Sequence, residues 1–122
     1  MALIRHFVND EGFGEPLRTG PVFNPATGEV QAKVALASRA ELDAAVKAAA
    51  AAFPKWSATA PLTRARILFR FKQLCEENLD AFALAITNEH GKVLSDARGE
   101  MVRGLEVVEF ACGAKQLLKG EF

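Results

Sequence analysis

The stretch from Pro61 to Gly91 constrains the fold more than any other part of this chain. Ile67, Leu68, Phe71, Leu74, Cys75, Leu79, Phe82 and Ile86 recur within it mostly at steps of three and four. That spacing puts them on one side of an α-helix, with Arg66, Arg70, Gln73, Glu77 and Asp80 opposite. An amphipathic helix of this length must bury its stripe against another element. Asn78-Leu79-Asp80 marks a point where it can break. Arg64, Arg66 and Arg70 crowd its first half, and Glu76 and Glu77 follow. The helix macrodipole prefers the reverse order, so the arginines are expected to serve contacts outside this helix.

The rest of the chain supplies potential partners. Val22-Phe23 and Glu29 to Val34 are β-prone runs around Asn24-Pro25-Ala26-Thr27-Gly28. Proline pre-sets φ early in that turn and Gly28 can take a positive φ at its end, which predicts a β-hairpin. Val30, Ala32 and Val34 alternate with Gln31 and Lys33, so one face is wet. Further upstream, Ile4, Phe7 and Val8 suit a short strand, and Asn9-Asp10-Glu11-Gly12 reads as a turn. Ser38-Arg39-Ala40-Glu41 is a capping box that opens a helix. Leu42, Val46, Ala49 and Phe53 mark its expected buried stripe, Pro54 its expected end, and 55–60 a linker. Trp56 is expected to pack in the core. Gly91 is the expected C-terminal cap of the long helix. Ser95 is the expected N-cap of a last helix reaching about Leu118, with Asp96 in its first turn. That helix carries two stripes, Met101/Leu105/Val108/Cys112 and, nearly opposite, Val107/Phe110/Ala114. A helix apolar on two sides is normally covered on two sides, so the chain is expected to meet more protein.

These elements define a mainly α chain with a small N-terminal β-hairpin. Residues 1–37 hold the strands and 38–122 a three-helix segment. Half of the 122 residues are hydrophobic, a quarter are charged and the net charge is zero, a globular composition. Zero net charge argues against a nucleic-acid binder, despite Arg64, Arg66, Arg70 and Lys72. No apolar run reaches the ~18 residues of a membrane span, and the opening lacks a signal-peptide pattern, so a cytoplasmic placement is expected. Cys75 and Cys112 both fall on helix stripes and suit buried thiols better than a disulfide.

Little chemistry is explicit. His6 and His90 lack neighbours at metal-ligand spacing. Gly12-Phe13-Gly14 resembles the opening of a dinucleotide-binding loop, but Leu17 stands where the third glycine belongs and no long strand precedes it. His90-Gly91-Lys92 resembles the tail of a phosphate loop, with Ile86 where that loop needs glycine. Cys112 closes an apolar stripe and reads as a small core residue. Arg103 stands apart. It lies near the side of the last helix that carries Val107 and Phe110, and Gly99 and Gly104 leave space around it. A guanidinium among small and apolar residues suits bidentate capture of a carboxylate. Glu100 and Glu106, each three residues away, offer an ordinary surface charge network instead, and spacing alone favours that network.

The runs FNPATGEV, AAFPKW, RARILFRFKQL and NEHGKVLSDARGEMVRGLEVVEFACG resemble the N-terminal region of the aldehyde dehydrogenase superfamily. NPATGE and the E-x-G-K of Glu89 to Lys92 are similar to superfamily-wide motifs. GKVLSDARGEMVRGLEVVEFACG is similar to the CoA-acylating methylmalonate-semialdehyde dehydrogenase branch. The resemblance implies the N-terminal helical part of an α/β aldehyde-dehydrogenase-like fold. It implies NAD-dependent oxidation, in which a cysteine thiolate attacks the aldehyde and a hydride leaves to NAD. CoA then takes the acyl group, giving acetyl-CoA or propionyl-CoA with loss of carbon dioxide. The arginine of R-G-[LI]-E, implicated in holding the substrate carboxylate, falls on Arg103.

The nucleophilic cysteine, the nucleotide-binding glycines, the oxyanion asparagine and the general-base glutamate of that family all come later than residue 122. Neither Cys75 nor Cys112 matches the nucleophile motif. The resemblance therefore implies the leading quarter of the enzyme, with no catalytic, cofactor-binding or metal residue of its own and no activity alone. Its expected partner is the remainder of the dehydrogenase. A helical module that self-associates through the exposed stripe of its last helix is the alternative.

Overall fold

The computed structural model describes residues 1–120, which form a mainly helical chain with short N-terminal strands. It divides into two compact units, one of Met1–Ala58 and one from Thr59 onward.

In the first unit, β1 (Ala2–Ile4), β4 (Arg18–Phe23) and β5 (Val30–Leu36) form a sheet in the order β1-β5-β4. The expected hairpin is β4–β5, antiparallel, with Gly20 opposite Val34 and a bulge between Val22 and Phe23. Its loop closes as the residue types dictate. The Asn24 side-chain oxygen accepts from the N–H of Ala26 at 2.8 Å and of Thr27 at 3.3 Å. Gly28 then takes φ +74° and returns its N–H to the Asn24 carbonyl. β1 adds to the other edge of β5 in parallel, with Leu3 opposite Lys33.

The single short strand expected near the N-terminus is in fact two. After β1, the chain forms β2 (His6–Val8), which pairs with β3 (Glu11–Phe13) as a second, two-stranded ribbon. Its turn is confined to Asn9 and Asp10, at φ +55° and +63°. Two consecutive positive φ values are the type I′ signature, whose twist matches paired strands, so Glu11 and Gly12 belong to the strand rather than to the turn.

The helix α1 spans Arg39–Ala58. Its capping box forms as expected. The Ser38 N–H and hydroxyl donate to a Glu41 carboxylate oxygen at 2.7 and 2.8 Å, and the Glu41 N–H donates to Ser38 Oγ at 3.2 Å. The Ser38 backbone bond is the main cause holding the Glu41 carboxyl below its ordinary 4.5, followed by the Ser38 hydroxyl. A depressed folded pKa contributes stability above pH 4.5 that is lost as pH falls through the folded value. Ser38→Ala is expected to cost about 1 kcal/mol of stability near neutral pH. The difference between the two proteins narrows below pH 4.5, as helix content followed during acid titration will show. Gly14 belongs to the same arrangement. It sits at φ +79°, and a Cβ there would run into Glu41 Oε1.

Three expectations for α1 fail. Pro54 does not end the helix, which continues four residues beyond it. Proline removes a single N–H, and here the lost bond falls near the C-terminal end, where the Ser57 hydroxyl bonds back to the Pro54 carbonyl at 3.1 Å. Leu42, Val46, Ala49 and Phe53 are exposed, because no described residue of this unit covers that face. Trp56 is 47 % exposed and is not a core residue.

In the second unit, α2 (Pro61–Glu77) and α3 (Leu79–His90) replace the single long helix. Pro61 starts α2 at the position where a missing N–H costs nothing. The break lies at Asn78, at φ −115° and ψ 18°, and its side-chain amide donates to the Leu74 carbonyl at 2.8 Å. Gly91 caps α3 in the left-handed region at φ +84°, as expected. The next helix, α4 (Leu94–Cys112), begins one residue before Ser95. Val93, not Ser95, is its N-cap, and the Val93 carbonyl accepts from Asp96 and Ala97, both at 3.1 Å. Asp96 does lie in the first turn, where the dipole favours it. Gly113 separates α4 from a short α5 (Ala114–Leu117).

α4 packs against α2 and α3. The buried residues of this unit are Ala65 and Cys75 on α2, Ala83 on α3, and Ala97 and Cys112 on α4. Both cysteines are free thiols. Met101, Leu105 and Val108 are partly covered, so the first stripe of α4 faces inward. Val107 and Phe110, on the second, are 69 % and 68 % exposed. Asp80 of α3 bonds Arg98 of α4 at 2.8 Å, and Lys72 of α2 reaches Glu109 of α4 at 3.7 Å. Arg70 departs from expectation by pairing within its own helix, at 3.9 Å from Glu77 two turns on. No described helix is long and apolar enough to cross a membrane.

Candidate functional site

The turn after α3 and the first half of α4 enclose a half-open cavity of about 400 Å³. Lys92, Ser95, Asp96, Gly99, Glu100 and Arg103 line it. The α4 members fall at steps of three and four, so one helix face forms the wall. Gly99 leaves that wall low, since a Cβ there would meet nothing within 4 Å, and the same holds at Gly104. Gly91 fixes where Lys92 leaves α3, and the lysine comes back against α4.

Charges are arranged unevenly on this wall. Lys92 Nζ forms an ion pair with Glu100 Oε1. The Lys92 hydrogen bond is the main cause holding the Glu100 carboxyl below its ordinary 4.5, against partial desolvation, and the charges of His90 and Arg103 add to it. Arg103 makes no hydrogen bond or ion pair among the described residues. Neither Glu100 nor Glu106, its two spacing-matched carboxylates, pairs with it. Asp96 lies two turns back, roughly 10 Å along the axis. An exposed guanidinium with open donors beside a cavity can take a small carboxylate in two parallel bonds.

Cys75 and Cys112 are buried, and no group of three or more described His, Cys, Asp or Glu side chains could hold a metal ion. Gly12 and Gly14 belong to the β2–β3 ribbon and its exit, with Gly14 against Glu41, so they do not form a strand-to-helix dinucleotide cradle. Those two glycines therefore offer NAD no phosphate cradle. A second cavity, about 570 Å³ and mostly apolar, lies along Phe71, Leu74 and Phe82. It has the character of an uncovered packing surface. Sequence reasoning singled out Arg103 but missed Lys92–Glu100. The αL cap at Gly91, which turns the chain back on α4, was the available signal.

Helices packed through alanine and cysteine, preceded by the strand pairs described above, match a family. Residues 14–122 match the aldehyde dehydrogenase family, and the chain belongs to it. Among its relatives, it is 48 % identical over all 122 residues to a malonate-semialdehyde dehydrogenase of Pseudomonas aeruginosa, of which it covers 24 %. It is 48 % identical over 100 residues, 82 % of this chain, to the human mitochondrial acylating methylmalonate-semialdehyde/malonate-semialdehyde dehydrogenase, of which it covers 19 %. Over 99 % of this chain, the crystal structure of a methylmalonate-semialdehyde dehydrogenase from Oceanimonas doudoroffii superposes with a TM-score of 0.95 at 50 % identity, and the match spans 25 % of that chain. A structure of a Sinorhizobium meliloti protein described as the same enzyme, complexed with NAD, gives 0.94 at 50 % identity, with 100 % of this chain and 25 % of that one covered. The chain thus spans about a quarter of the length of these bacterial relatives.

Proposed function

We propose that this chain is the N-terminal segment of an NAD-dependent, CoA-acylating malonate- or methylmalonate-semialdehyde dehydrogenase. The enzyme gives acetyl-CoA or propionyl-CoA and carbon dioxide, and acts in the cytoplasm. The segment's own contribution is recognition. Arg103 holds the substrate carboxylate, and the chemistry belongs to the rest of the polypeptide. The observation that carries this reading is the guanidinium of Arg103, left open beside a cavity while the Glu100 carboxylate, three residues away, is taken by Lys92. Its support is the substrate class of the relatives, whose names share a carboxylate-bearing aldehyde. The remainder of the dehydrogenase covers the Val107/Phe110 flank and the Phe71/Leu74/Phe82 groove, both exposed here.

The isolated chain is expected to form no NADH from NAD, CoA and malonate semialdehyde, followed by absorbance, while the complete polypeptide does. NADH formation by the isolated chain would refute the assignment of chemistry to other residues. The same exposed flank would let copies of this chain associate with each other, the second reading. A stable homo-oligomer of these 122 residues, with no dehydrogenase activity in the complete reading frame, would establish that reading instead.

A further inference from the structure

We infer that Lys92 is a positioning residue: by holding the Glu100 carboxylate, it keeps the Arg103 guanidinium open to a substrate carboxylate. This rests on the carboxylate-capture reading of Arg103. Glu100 and Arg103 stand three residues apart on α4, the spacing at which carboxylates and guanidinium groups pair on a helix surface. They do not pair here. The Glu100 carboxylate is bonded to Lys92, which arrives from the turn after α3 and not from α4 itself. All three side chains line the same cavity. The Lys92 side chain is the more buried partner, so the lysine anchors and the glutamate is held.

Removing the ammonium frees Glu100 to turn toward Arg103. The resulting pair occupies the guanidinium donors and puts a negative charge where the substrate carboxylate belongs. Both effects weaken binding of an anionic substrate and neither touches a neutral one. The other charged groups around this wall are His90 at the end of α3, Asp96 in the first turn of α4 and Glu106 one turn beyond Arg103. None of them forms an ion pair with Arg103 among the described residues.

The test uses the complete dehydrogenase with Lys92→Met, Lys92→Arg, Glu100→Gln and the double variant Lys92→Met/Glu100→Gln. Steady-state constants are measured with malonate semialdehyde and with propanal, a neutral aldehyde of the same carbon count. Lys92→Met should raise KM for malonate semialdehyde about fivefold, with kcat and the propanal constants within about twofold. Lys92→Arg keeps the cation and should stay near the parent. Adding Glu100→Gln to Lys92→Met should restore KM, because no carboxylate remains to capture Arg103. A lysine that merely supports the fold would give a defect shared by propanal and not repaired by Glu100→Gln. Either of those results, or an unchanged KM in Lys92→Met, overturns the positioning role. Should Lys92→Met not fold, Lys92→Gln takes its place with the same expected pattern. Arg103→Ala measured in parallel separates the two ideas. Equal losses on both aldehydes overturn carboxylate capture itself. A selective Arg103→Ala with an unrescued Lys92→Met overturns only the part played by Lys92.

Discussion

Arg103→Ala in the complete polypeptide is expected to raise KM for malonate semialdehyde by about a hundredfold and to leave propanal within about threefold, with kcat the less affected constant. The magnitude follows from what is removed. A bidentate guanidinium–carboxylate pair consists of two charge-assisted hydrogen bonds. Bonds to charged groups contribute roughly 1.5–3 kcal/mol each, so two at the low end give about 3 kcal/mol, close to the roughly 2.7 kcal/mol that is a hundredfold. In the isolated chain Arg103 is exposed, so the full effect requires the rest of the polypeptide to close over the cavity. In the proposed role the loss is expected to fall on KM, because the carboxylate would be held alike in the bound substrate and during oxidation at the far carbon. Arg103→Lys should recover part of the affinity through charge alone, since an ammonium is a point charge without the planar fork. Equal losses for propanal would mean that Arg103 supports the local structure, and the proposed role would fall.

What the sequence made legible here was local. The hairpin loop, the Ser38–Glu41 box and the Gly91 cap each need a handful of adjacent residues, and each formed as their types dictate. The inward stripe of α4 was readable from its period, and so was the uncovered flank at Val107 and Phe110. The failures involve longer range or competing local terms. Nothing near Ala2–Ile4 announces that it will pair with β5, about thirty positions on, because strand pairing is settled by the partner and not by the strand itself. Pro54 looked terminal because the proline rule is stated one residue at a time. Near a helix end, one absent N–H is outweighed by the bonds that remain. Ser95 looked like a cap because its side chain suits one, yet the chain leaving Gly91 was already helical a residue earlier. The site divides the same way. The face of Arg103 followed from helical spacing. The pair between Lys92 and Glu100 crosses from a turn onto a helix, at a separation no periodicity encodes.

Ala97→Leu is expected to lower the melting midpoint of the second unit by roughly 10 °C or more, a loss of about 2–3 kcal/mol. Ala97 on α4 and Ala83 on α3 are each 0 % exposed, and those two helices pack on each other. No larger side chain of the described residues is so fully enclosed. The helices therefore approach through methyl groups, and the larger apolar residues lie around the contact or outside it. Three extra carbons at Ala97 must push α4 from its neighbours, which strains the Asp80–Arg98 bond at 2.8 Å on one side and the Lys72–Glu109 pair at 3.7 Å on the other. Leu84, beside Ala83 but 52 % exposed, is the control, since Leu84→Ala should shift the midpoint far less. Hydrophobicity alone ranks the two substitutions the opposite way, because the first adds apolar surface and the second removes it. A midpoint unchanged by Ala97→Leu, or a larger loss from Leu84→Ala, would show that α3 and α4 are held by something other than close approach through small residues.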